Sequence, residues 1–156
     1  MIIPRCSIFL LVFVALCALC ALEGCSRQAK LSGLVPCEGT VTYKGTPLSE
    51  ALVTLSPTGN PAGRSAAART DAAGKFTMTT LHPNDGVAPG DYRVTVSKYE
   101  FYGEAPPPQM IDGEEVLSSR PQRSVIPMKY EEANTSGLVL TVPAKGIKDA
   151  LFELTD

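Results

Sequence analysis

Few residues in this 156-residue chain are equipped for chemistry, and they are scattered. The single histidine, His82, lies in LHPNDG, with Asp85 and Asp91 near it in sequence. A transition-metal site usually draws three or four protein ligands, so one imidazole and two loop carboxylates make a poor set. His82 is read as a turn residue before Pro83. The stretch TDAAGKFTM, 70 to 78, raises a calcium loop instead. Such a loop needs about six oxygens, many from carboxylates at alternate positions, and Ala72 and Ala73 stand where they would be. The alternating Phe76 and Met78 point to a hairpin corner. There Gly74 supplies a positive φ and Asp71 bonds the backbone two residues on. Cys37 has no histidine near it in sequence and shares an apolar face with Val35, Val41 and Tyr43, so it reads as a small buried hydrophobe. Lys44, Glu38 and Asp149 are candidates for an acid-assisted Lys–Asp crosslink. No paired carboxylates, nucleophilic triad or phosphate-cradling glycine loop stands out. The expectation is a non-enzyme without metal or cofactor.

Short alternating runs cut by turn residues hold these side chains, the pattern of an all-β sandwich or barrel. Seven strands are expected. They are VPCEGTVTY (35–43), ALVTLSP (51–57), SAAART (65–70), KFTMTT (75–80), DYRVTVSK (91–98), SGLVLTVP (136–143) and DALFELTD (149–156). Ala51, Val53 and Leu55 share an inward face, as do Tyr92, Val94 and Val96. Residues 99–125 contain three consecutive prolines and an acidic cluster, show no sustained period, and read as a long loop. A loop of that length is usually functional or mobile. At its start, Tyr99, Phe101 and Tyr102 are the candidate contact surface, because aromatics favour recognition. The competing reading has them capping the end of the sandwich. The chain has no Trp to form a sugar platform.

The N-terminus has a different character. Arg5 is the only charge in the first 22 residues, and SIFLLVFVALCALCAL (7–22) is an unbroken apolar run. A charged n-region before an apolar stretch of this length is the pattern of a signal peptide. It is shorter than the roughly 20 apolar residues of a spanning helix. The run ends LEGCS, which resembles a bacterial lipobox with Cys25 as the lipidated residue; Glu23 departs from the usual uncharged residue. The expected layout is a lipoprotein signal peptide (1–24), a tether (25–34) and a domain (35–156). Cys6, Cys17 and Cys20 would leave with the signal and Cys25 would be acylated, so Cys37 would have no partner for an intramolecular disulfide. The formal net charge of −2 does not offer nucleic acid the basic face it requires.

Three ordered segments carry a family resemblance: PCEGTVTYKGTPLSEALVTLSP, TDAAGKFTM and PGDYRVTV. Together they resemble the carboxypeptidase regulatory-like, transthyretin-related β-sandwich domains. The segment IPMKYEEANTSGLVLTV resembles small bacterial envelope lipoproteins that carry one such domain. The resemblance implies a seven-stranded antiparallel prealbumin-like sandwich. It does not imply peptidase activity, because such domains are accessory modules. Hydrolase relatives use several histidines and arginines and end YRGS, whereas this chain has one histidine and ends FELTD. The expected function is therefore that of a membrane-anchored envelope β-sandwich on the extracytoplasmic side, or otherwise a secreted one. Its role would be structural, or contact with an envelope protein or polysaccharide. The alternative is an accessory module for extracellular glycan or peptide.

Overall fold

The computed structural model describes residues 31–59, 63–116 and 119–156. The expected signal segment (1–24), Cys25 and most of the expected tether (25–34) lie outside the described residues. The described chain is all-β, with one short 3₁₀ turn at Met128–Glu131.

Among the described residues twelve strands are formed where seven are expected. They are β1 (Cys37–Tyr43), β2 (Thr46–Pro47), β3 (Leu52–Pro57), β4 (Ala66–Arg69), β5 (Lys75–Thr77), β6 (Gly90–Ser97), β7 (Tyr99–Phe101), β8 (Gln109–Ile111), β9 (Glu114–Val116), β10 (Gln122–Ser124), β11 (Leu138–Val142) and β12 (Ile147–Leu154). Two four-stranded sheets hold the seven expected ones. In the first, β1 lies between β12 on one side and β5 and β2 on the other. The order of the second is β11-β6-β3-β4. The strands not expected are β2 and the four within 99–125, which form two small ladders, β7 with β10 and β8 with β9.

The antiparallel expectation fails at one pair. β1 and β12 run parallel, from Cys37 opposite Ile147 to Tyr43 opposite Leu154. The cause is the connection before β12. β11 belongs to the second sheet, and a four-residue corner carries the chain across to the first, so no hairpin sets the direction in which β12 meets β1. Strands from the two ends of a domain have no hairpin forcing them antiparallel.

Alternation along the strands builds the core. Val53, Leu55, Val94 and Val96 turn inward from one sheet, and Val41, Phe76, Phe152 and Leu154 from the other. Phe76 and Phe152 stack at 5.8 Å with their rings 10° apart. They fit because residue 39 is glycine: a Cβ there would sit 2.6 Å from the Phe76 ring and 2.3 Å from the Ala150 carbonyl. Thr70 joins the strand ends inside the core. Its hydroxyl donates to the Leu48 carbonyl at 2.6 Å and accepts from the Ala51 amide at 2.8 Å.

Candidate functional site

Most of residues 99–125 form an arm, not the structureless loop expected. Tyr99, Glu100 and Phe101 pair antiparallel with Ser124, Arg123 and Gln122. Main-chain bonds extend the ladder at both ends, from the Val125 amide to the Lys98 carbonyl and from the Tyr102 amide to the Pro121 carbonyl. Further out, Asp112 (φ 52°) and Gly113 (φ 84°) make the two-residue turn between β8 and β9. Both central residues have positive φ, the geometry that hairpin strands prefer. Asp-Gly between alternating residues was the signal for this hairpin; the neighbouring prolines and acids masked it.

The base of the arm is fixed. Ile126 and Tyr130 are buried beside it. The Tyr99 hydroxyl donates to the Glu131 carboxylate, and the Ser124 hydroxyl donates to the other Glu131 oxygen at 2.8 Å. The bond to Glu131 is the main reason the Tyr99 hydroxyl is held above its ordinary pKa. Arg120 donates twice to the Gly103 carbonyl, at 2.9 and 3.2 Å, and lies 5.8 Å from the Phe101 ring centroid. Tyr99, Phe101 and Tyr102 remain 51, 58 and 48 % exposed. None of the three belongs to the buried core among the described residues. Met110, near the arm's tip, is exposed as well. Half-exposed aromatic side chains beside a hydrogen-bonded base leave this a surface open to contact.

The remaining chemical candidates resolve individually. Cys37 is fully buried, and burial, with a smaller contribution from Glu38, pushes its thiol up to about 11. A thiol so protonated is a poor nucleophile. His82 does not approach a ligand set; among the described residues no three His, Cys, Asp or Glu side chains converge. Its amide donates to Asp85, as do those of Thr80 and Leu81. Burial alone would raise the Asp85 carboxyl, but these three amides outweigh it and hold the group below the usual carboxylate range. Lys44 meets Asp156 at 2.6 Å and not Asp149. That contact raises the ammonium and lowers the carboxyl, so both stay charged. An amide crosslink requires a neutral amine, so this pair is an ordinary exposed ion pair.

The TDAAG corner brings together residues that sequence reasoning did not single out. Asp71 Oδ1 accepts from the amides of Ala73 and Lys75, both at 2.8 Å, and Gly74 has φ 73°. The corner does not join two strands of one ladder, however. β4 belongs to one sheet and β5 to the other, and they meet at a single bridge, Ala67 with Thr79. An open groove of about 730 Å³ lies over the place where they part, with Thr40, Arg69, Lys75, Thr77 and Lys148 among its lining. These residues come from four strands, a juxtaposition that no sequence spacing announces.

No family model, curated protein or solved structure matches the chain.

Proposed function

We propose that the chain is a non-enzymatic envelope lipoprotein, anchored through Cys25, whose prealbumin-like sandwich presents the 99–125 arm to an envelope protein or polymer. The observation that carries the contact role is the row of Tyr99, Phe101 and Tyr102, about half exposed beside a base held by hydrogen bonds to Glu131. Exposed aromatics backed by rigid structure lose little side-chain entropy on contact, and for that reason they are enriched at interfaces. The prealbumin-like arrangement draws support from the seven sequence-expected strands, which all lie in the two larger sheets. The anchor rests on the LEGCS stretch alone.

Two experiments test the two halves. Intact mass of the protein from its native membrane should give a chain beginning at Cys25 with acyl mass, and a Cys25→Ser variant should lose both the mass and detergent-phase partitioning. A photo-crosslinking residue at Phe101 should yield a discrete adduct in intact envelopes that the same residue at Leu151 does not. Equal labelling from both positions would refute the arm as a contact surface.

A further inference from the structure

The β4–β5 corner leaves one rung of a hairpin open. Ala67 exchanges both main-chain hydrogen bonds with Thr79, at 2.9 and 3.0 Å, and the Asp71 amide donates to the Lys75 carbonyl at 2.8 Å. These contacts are in the register of one hairpin. The rung between them, Arg69 opposite Thr77, is not paired: β4 pairs with β3, β5 pairs with β1, and Ala67–Thr79 is the bridge given between the two sides. Along a strand, main-chain groups two residues apart point the same way. Arg69 and Thr77 therefore turn two N–H and two C=O groups into a gap that the parting sheets leave unfilled.

We propose that this open rung is the floor of a binding site for an acidic oligosaccharide. The groove over it is of ligand size, about 730 Å³. Hydroxyls from Thr40, Thr77 and Thr79 line it, suited to polyol hydroxyls that donate and accept at once. Its three cations are Arg69, Lys75 and Lys148. Lys75 and Lys148 form no ion pair among the described residues, while Arg69 donates to the Glu50 carbonyl at 3.2 Å and lies 3.9 Å from its carboxylate. Of its two acids, Asp71 spends one carboxylate oxygen on the turn amides, and Glu38 is placed to accept from sugar hydroxyls. The lining is thus net positive in a net acidic chain, which favours a ligand carrying carboxylates. An extended peptide fits less well. Strand addition uses successive rungs, and here the rungs on both sides of Arg69–Thr77 are already filled. A sugar requires only the one.

The test titrates full-length protein in detergent with tetragalacturonate, neutral galactotetraose and an extended Asp-Thr hexapeptide by calorimetry at low salt. The expected result is saturable binding of the tetragalacturonate, about tenfold weaker binding of the neutral sugar, and none of the peptide. Lys75→Gln and Lys148→Gln should each weaken the acidic sugar about tenfold, the scale of one charge-assisted hydrogen bond at an open site. Thr77→Val should weaken both sugars, and Val139→Ser, on the exposed face of β11 at the opposite edge of that sheet from β4, should leave both unchanged. Thermal melts of each variant confirm that the fold is retained. The proposal is overturned if the acidic sugar does not saturate, if the Lys75, Lys148 and Thr77 variants bind it as the parent does, or if the peptide binds more tightly than the sugar.

Discussion

The Cys37 thiol shows how far a side chain can be read from its place in a run. Its alternation with Val35 and Val41 put it on the inward face, and it has no exposed surface. The prediction is that iodoacetamide at mildly alkaline pH leaves Cys37 of the native protein unmodified and labels it fully in guanidinium, measured by mass. The sign of its pH effect follows. The folded thiol ionises near 11 and the unfolded one near 9, so its contribution to stability is complete below about 9 and is lost as pH rises toward 11. Asp85 behaves in the opposite sense. Its carboxyl is lowered in the fold, so its contribution is present above the normal carboxylate range and disappears as pH falls through the folded value. Asp85→Ala orphans three amides and should cost about 2 kcal/mol in denaturant unfolding at neutral pH, with the difference from the parent shrinking in acid. Asp71 was legible because an Asx turn is local. Asp85 entered the sequence reading only as a carboxylate near His82; its role of holding three amides is set in a loop where Asn84 adopts φ 61°.

Among the elements, strand faces were legible and strand partners were not. Inward Ala51, Val53 and Leu55, and inward Tyr92, Val94 and Val96, follow from period-two alternation, and all six are buried. β7 to β10 escaped because each spans three residues, too short for alternation to register. The Asp112-Gly113 turn carries the information instead. Gly113→Val forces a β-branched residue to φ 84°, a strain of order 1–3 kcal/mol. The expected outcome is loss of amide protection in β8 and β9 with little change in the global melt, since those strands pair only with each other. Hydrogen exchange followed by mass spectrometry would show it. A drop in the global melt of several degrees would mean that the hairpin is integral to the sandwich. Gly39→Ala differs in kind. Its methyl would meet backbone at Ala150 and the Phe76 ring, and a cost of about 2 kcal/mol or more should appear as global unfolding at lower denaturant.

For the whole molecule, the decisive contact is the one farthest apart in sequence. β1 lies at the start of the described domain and β12 at its end, yet they form a parallel ladder. Periodicity carries no information about which strands meet or in which direction, and for this reason the all-antiparallel expectation failed and the groove beside β5 went unseen. The pairing also bears on cooperativity. Phe152 on β12 stacks on Phe76 of β5, and β1 lies between the two strands. Removing that ring leaves a cavity facing both sheets. Phe152→Ala should therefore cost about 3–5 kcal/mol, and its effect should not stay in β12. Amides of β3 and β6, in the opposite sheet, should lose protection by the same free energy as those of β1, because neither sheet can keep its inner face dry alone. Folding should be slow for a domain of this size, on the order of milliseconds to seconds, since the ladder closes only after almost the whole domain is in place. If Phe152→Ala weakened β12 alone, with β3 and β6 still fully protected, the two sheets would be separate folding units and not one core.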